Sequence, residues 1–524
     1  MKEFTLPQAD TLGRTLWEKV PKETRVTFFS ALVLGLITHL YMLTNKFPNH
    51  DDINHLFAND YGTQSGRWVL PYISKWSGEF SMPWVIGLLS ILFLAVGACL
   101  VVALFRVQKP LYCVVIAALI VDFPVVTSTF TYMFTADAYF FGLLLAIFGA
   151  YTTVRHPYIG VSLGAFTLIL SMSIYQSYFP VAVALVVGAL LFDTLAGDRD
   201  IKMLIGKGVR VLCVLIVSMG GYLLAAKLTT DKVGLVDYMG IDKMGELEMD
   251  KLPALIGKCY FQYKTVFIDN KLGIQFDYLG SVLAVAFIAM IALLVLILWQ
   301  RKLGAARTVL AVVLAIIYPL SADLIHIMVG GEKVHMLMIY GMVMVLIMPL
   351  ALASFASQYN EGLSMNMQNL RTALCWVVLV AMTLTAYSYA LTDNKAYLKS
   401  QIAFEQCSAY ANRLASAIEQ TEGYQTGMPV VFIGNRYMEP NIEPLEPLKD
   451  KKMTGVSTLY SLRSNYTFGR FLKYYTAFYG DIYLDSSDIA KQMAGTATVA
   501  NMPCYPTDGG IEIIDGYLVV KFNP

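Results

Sequence analysis

The chain has 524 residues, 56% of them hydrophobic and only 15% charged, with a formal net charge of +1 and a mean hydropathy of +0.56. An average soluble domain carries about a quarter charged residues, so a water-soluble globular protein is excluded. No basic tract suggests a nucleic-acid partner. The apolar residues gather in blocks of about 18 to 25, enough to cross about 30 Å of hydrocarbon as a helix. The pattern predicts a polytopic α-helical membrane protein.

In chain order, a polar segment of mixed charge, 1–26, comes first and lacks the short apolar core and cleavage site of a signal peptide. Eleven spans follow, near 27–44, 82–105, 111–129, 133–153, 157–174, 178–196, 204–228, 279–300, 306–329, 334–357 and 371–391. With the N-terminus inside, every even-numbered connection is basic: Arg106 and Lys109; Arg155; Arg199, Lys202, Lys207 and Arg210; Arg301, Lys302 and Arg307; Arg371. The odd-numbered connections are acidic or mixed, including the loops 45–81 and 229–278. Lys/Arg bias of this kind marks the cytoplasmic side. The N-terminus is therefore expected inside, and an odd span count puts the C-terminus outside. A membrane domain over 27–395 is followed by an extracytoplasmic domain over 396–524.

That last stretch has the composition of a small α/β domain. Residues 396–420 read as an amphipathic helix and Met428–Gly434 as a buried strand. Ile511–Ile514 and Tyr517–Phe522 flank Asp515-Gly516, a hairpin signal. Cys407 and Cys504 both fall in this domain, in a compartment that permits disulfides. A Cys407–Cys504 bond is one expectation, with Cys259 as the other possible partner. No cysteine or histidine spacing resembles a zinc site.

Candidate chemistry begins in the first outer loop, at Asn49-His50-Asp51-Asp52. Asn49 is placed to N-cap a helix with Asp52 three residues on, but capping does not account for Asp51 as well. Adjacent helical residues point about 100° apart, so the two acids cannot share one role. In the same loop, Gly66-Arg67-Trp68 offers a bidentate phosphate ligand beside a tryptophan suited to the headgroup zone. Further on, Asp137 opens a span, and Tyr175-Gln176 supplies sugar-type hydrogen bonds between two others. Asp323 and His326 lie one turn apart at the outer end of the ninth span, followed by Glu332, Lys333 and His335. Ionisable residues at membrane depth mark functional sites by default, although an Asp323–His326 pair also serves to neutralise itself. Lys333 and His335 suit an anionic headgroup. Asp51, Asp52 and Asp137 are the one grouping open to a loosely bound divalent cation.

The combination resembles a known family: the bacterial serotype-converting, Gtr-type glucosyltransferases that modify O-antigen and other surface polysaccharides, of the wider GT-C class. The resemblance rests on Asn49-His50-Asp51-Asp52, Gly66-Arg67-Trp68, Tyr175-Gln176, Lys333 and the C-terminal α/β domain, and it spans nearly the whole layout. It implies a GT-C-like fold and a donor of polyprenyl-phosphate glucose, with a surface polysaccharide as acceptor, at the outer face of the bacterial cytoplasmic membrane. It also implies a first-loop carboxylate as general base, Asp51 or Asp52.

Elementary chemistry is compatible with that expectation. An acceptor hydroxyl loses a proton as it attacks the anomeric carbon, and a placed carboxylate takes it. A lipid phosphate leaves as an anion and needs fixed positive charge, for which Arg67, Lys333, His335 and His326 are the candidates. Asp137, Tyr175, Gln176, Trp68, Asp323 and Glu332 are the candidates for holding sugar and acceptor. A single displacement inverts the anomeric centre. The competing reading is a transporter or flippase for a lipid-linked sugar or polysaccharide, which calls for charges at the midplane and two related halves. The acids gather toward one face, and no such halves are evident.

Overall fold

The computed structural model describes residues 9–57, 65–198, 200–230, 249–359, 363–434 and 453–523. A short helix, Ala9–Lys19, precedes the bundle. The bundle is built from α1 (Lys22–Thr44), then a short α2 (His50–Asn54) in the first loop, α3 (Pro83–Leu104), α4 (Pro110–Asp122), α5 (Pro124–Phe130) and α6 (Ala136–Arg155). It continues with α7 (Ile159–Ile174), α8 (Phe179–Ala196), α9 (Ile201–Thr230) and α10 (Leu252–Tyr263). The last helices are α11 (Leu279–Arg301), α12 (Ala305–Ala322), α13 (Val343–Ala356) and α14 (Met365–Glu419). Ten helical segments among the described residues are long and apolar enough to cross a membrane, α4 and α5 forming one of them; α7, at 16 residues, is a shorter apolar helix. Together they correspond to the eleven segments expected from sequence.

Proline sets several of these boundaries. Pro83, Pro110, Pro124 and Pro180 each stand in the first turn of a helix, where the missing N–H is no loss. Pro124 also breaks the third span: its ring cannot donate to the carbonyl four residues back, and Phe123 is extended. The Ile120 carbonyl instead accepts from Tyr340 Oη at 2.8 Å, and the Val121 carbonyl meets His39 Nε2 at 2.8 Å. Neighbouring helices thus satisfy the freed backbone, as a bilayer requires. Pro319 lies inside the last turn of α12. The ninth span, expected to run to 329, accordingly stops at Ala322.

Every residue of α13 is buried, making it the bundle's centre. By contrast α9, α11 and α12 present exposed Ile216, Val217, Leu224, Ile288, Val295, Val309 and Ile316, the surface expected toward lipid tails.

The two ends of the bundle differ in charge. At one end, basic side chains tie down helix C-termini and loops: Arg155 donates to the Ala103 carbonyl at 2.6 Å, Arg301 to Ala196, Arg307 to Gly197 at 2.8 Å, and Arg371 to Ala356 at 3.2 Å. Cations at helix C-termini suit both the free carbonyls and the macrodipole. Asp193, buried here, pairs with Arg106 at 2.7 Å and Lys207 at 2.5 Å. The other end carries the first loop and the C-terminal sheet.

α14 joins those ends. The span at 371–391 and the amphipathic helix at 396–420 are one 55-residue helix, about 80 Å long at 1.5 Å per residue. Its last turns pack beneath a four-stranded sheet of order β2-β1-β4-β3, formed by β1 (Gly427–Ile433), β2 (Gly480–Tyr483), β3 (Ile511–Ile514) and β4 (Tyr517–Lys521). β1 is parallel to β2 and β4, and β3–β4 is the hairpin closed by Asp515-Gly516, both at positive φ. Cys407 is buried in the core of this unit and Cys504 is half-buried, and neither they nor Cys259 form a disulfide. The expected disulfide is therefore absent: Cys407 faces the α14 side of the sheet, among Tyr410, Leu414 and Val430.

Candidate functional site

The first loop folds back on its own helix. Asn49 caps α2, its side chain accepting from Asp52 N at 2.8 Å. The turn this produces aims the two acids apart. Asp52 is fully buried and does not complete a capping box. Its carboxylate accepts from Lys46 Nζ at 2.7 Å, from the Ser81 hydroxyl and from the Phe134 backbone N–H at 3.1 Å. Lys46 also donates to the Ser81 carbonyl at 2.9 Å. This network ties the start of the loop to its end and to the turn before α6.

Asp51 has a different setting. Its side chain is 32% exposed and stands 3.7 Å from His50 Nε2. Against it lies the C-terminal unit: Tyr466 is beside Asp51, and burial, with the Asp51 charge adding to it, holds that phenol above its ordinary range. Asn54 donates to the Tyr466 carbonyl at 3.2 Å and accepts from Arg470 at 2.6 Å. His50 sits between the Tyr132 and Tyr466 rings, with centroids 6.3 and 6.4 Å away. His55 stacks on Phe134. A half-open seam lined by aromatic rings and amide groups thus borders one carboxylate.

The chain closes this seam at Gly455. Its φ of +85° is one that side chains rarely adopt, and a β-carbon there would collide with the Thr131 hydroxyl and the Tyr132 ring. Ser457 donates to the Pro48 carbonyl at 3.4 Å, and its N–H reaches Ser400 Oγ at 3.2 Å.

A second group lies beside the first. The Arg67 guanidinium stacks over Tyr175 at 4.8 Å and donates to Tyr139 Oη at 2.9 Å. Tyr139 and Tyr175 are themselves stacked 4.8 Å apart. Gln176 is buried and donates to the Ser65 carbonyl at 2.9 Å and to Tyr222 Oη at 2.7 Å, so its amide N–H groups hold the loop's return in place. Trp68 is half-buried. Asp137, the second residue of α6, accepts from Ala138 N at 2.8 Å and lies beside Ser77. Its part is local.

Asp323 and His326 form a third group, under α10. His326 Nδ1 is 2.9 Å from Asp323 Oδ1, both side chains are buried, and burial raises the Asp323 carboxyl despite the histidine. The Cys259 thiol donates to the Asp323 carbonyl. Glu332 and Lys333 are exposed; His335 is half-buried, its imidazole held below the ordinary range by burial and by Lys333. Among the described residues no three His, Cys, Asp or Glu side chains are grouped as metal ligands. Asp51, Asp52 and Asp137 do not come together as such a set.

Sequence reasoning passed over Lys46, Ser81, Tyr466 and Arg470, since nothing in their spacing links them to Asp51 and Asp52. It also missed a buried cluster in the bundle core. Asp122 and Asp393 are neighbours, and His39 Nδ1 meets Tyr397 Oη at 2.7 Å beside them. Thr127 is their neighbour, with its hydroxyl engaged to Tyr397 at 3.2 Å. Among the described residues, neither Asp393 oxygen, nor Asp122 Oδ1, nor the Tyr389 hydroxyl has a hydrogen-bond partner.

A family model described as glucosyl transferase GtrII matches residues 40–346, more than half of the chain. The chain belongs to the GtrII family. It is a polytopic membrane glycosyltransferase, acting with a sugar donor and an acceptor. The GtrII match takes in the first loop with Lys46, Asp51 and Asp52, the Arg67–Tyr139–Tyr175 stack and the Asp323–His326 pair. It ends before α14 and the C-terminal unit, which supply Tyr466, Arg470 and Gly455. No curated protein and no solved structure matches the chain.

Proposed function

We propose that this glycosyltransferase moves glucose from a polyprenyl-phosphate donor to a surface polysaccharide at the outer face of the bacterial cytoplasmic membrane, with Asp51 as general base. The observation that carries the assignment of the base is the contrast between the two acids. Asp52 is spent on Lys46, Ser81 and Phe134 N, whereas Asp51 borders an open seam. A base must reach the hydroxyl it deprotonates within hydrogen-bond distance, and a fully engaged, buried carboxylate does not.

Location supports the donor class. The acids stand at the end of the bundle opposite the basic connections, hence outside by the charge rule. A lipid-linked sugar delivers its anomeric carbon to that level, and a polysaccharide approaches along the seam, over His50, Tyr132 and Tyr466. As the acceptor oxygen bonds to the anomeric carbon, its proton passes to Asp51. The bond from that carbon to the phosphate oxygen breaks, and the electron pair leaves with the phosphate, inverting the centre.

Asp51→Asn tests this reading. Removing a general base costs about 10²- to 10⁴-fold in turnover, and donor binding and thermal stability should be unchanged. An Asp51→Asn enzyme with near-wild-type turnover would reject Asp51 as the base.

A further inference from the structure

Lys207, Arg371, Lys399, Arg463 and Lys521 are the buried lysine and arginine side chains among the described residues. Four of them are compensated. Lys207 pairs with Asp193, Arg371 donates to backbone carbonyls, Arg463 stacks on Tyr410 at 3.7 Å, and Lys521 donates to the carbonyls of Val499, Ala500 and Met502. Lys399, 5% exposed, makes no ion pair or hydrogen bond among the described residues. A lysine side chain buried this far with no counter-ion loses hydration without gaining a partner, and an anion at its ammonium supplies one.

The position of Lys399 says which anion. On α14 it lies between Tyr397, whose hydroxyl meets His39 and Thr127 in the bundle core, and Ser400, which is tied through Ser457 to Pro48. It therefore stands at the level where the bundle gives way to the loop bearing Asn49–Asp52. On its own helix, Ala396 and Ala403 flank it on one stripe, three residues before and four after. Both are buried. Ala403 shares an apolar cluster with Ile53, the residue after Asp52. The other cations of this region are engaged: Lys46 with Asp52, Arg67 with Tyr139 and Tyr175.

We propose that Lys399 is the phosphate-binding residue of a lipid-phosphate site in the bundle wall beneath Asp51 and Asp52. This rests on the lipid-linked donor reading and adds the residue that holds the leaving group. The phosphate gains negative charge as the glycosidic bond breaks, so a fixed ammonium favours departure over the bound ground state.

The test uses the full chain in nanodiscs and follows thermal unfolding with undecaprenyl phosphate, undecaprenol or inorganic phosphate. Undecaprenyl phosphate should stabilise the wild-type protein and undecaprenol should not. Lys399→Met should weaken undecaprenyl phosphate at least tenfold, with ligand-free unfolding at the same or a higher temperature. Lys399→Gln repeats the measurement if the Met variant does not fold, and Lys399→Arg should retain binding. Stabilisation by inorganic phosphate that Lys399→Met abolishes supports the anion site with recognition of the headgroup alone. Wild-type affinity in both neutral variants overturns the role of Lys399 and leaves the donor reading standing. No stabilisation of the wild type by either phosphate overturns both.

Discussion

At the scale of single residues, the main finding is the division of labour between Asp51 and Asp52. The sequence states that adjacent acids cannot do the same job; it does not state which faces where, because Lys46, Ser81 and Phe134 come from three different places in the chain. The structure supplies that answer through partners. A second expectation follows. Asp52→Ala leaves Lys46 without its counterion and the Phe134 N–H without an acceptor, a loss of about 3 kcal/mol for breaking a buried pair. Denaturation in detergent should show that loss for Asp52→Ala, whereas Asp51→Asn, half-exposed, should stay within about 0.5 kcal/mol of wild type. Equal stability of the two variants would mean that the Asp52 network does not hold the loop.

At the scale of elements, hydropathy located the membrane segments well because length and apolarity are what a bilayer demands. It could not show the break at Phe123–Pro124. There Pro124 frees two carbonyls, and Tyr340 and His39 answer from other helices. Asp122 was hidden inside an otherwise apolar run for the same reason. The converse holds in α14, where the change from apolar to mixed composition suggests an end to the span that the backbone does not make. With neither Pro nor Gly between Met365 and Glu419, nothing interrupts the backbone hydrogen bonds. The hairpin at Asp515-Gly516 was legible because its turn chemistry is local.

The Asp122–Asp393 pair belongs to this scale, since it forms only where α4 and α14 meet. Asp393 is buried beside Asp122, and neither of its oxygens has a hydrogen-bond partner among the described residues. Asp393→Asn removes one ionisable group from that contact and should stabilise the protein by about 1–2 kcal/mol, read as a higher unfolding temperature in the absence of ligand. A lower one would show that the carboxylate makes a favourable interaction in the folded bundle.

On the scale of the whole molecule, a bundle with one end laced by arginines and another capped by a sheet holds its functional groups in a single layer. Lys46, Asp51 and Arg67 of the first loop, Tyr175, Asp323 and Lys399 come from four separate parts of the chain, yet all lie at or near the sheet end. The C-terminal unit adds Tyr466 and Arg470 across more than 400 residues of sequence, which no local pattern could have announced. In the proposed reading that layer is where a lipid-borne sugar and a polysaccharide meet, and the choice of donor is the central claim. The direct measurement is transfer by the purified enzyme in nanodiscs, with glucose labelled either in undecaprenyl-phosphate glucose or in a nucleotide sugar and polysaccharide as acceptor. Label should enter the polysaccharide from the lipid donor alone, with inverted anomeric configuration; transfer from the nucleotide sugar, or retention of configuration, would contradict the account.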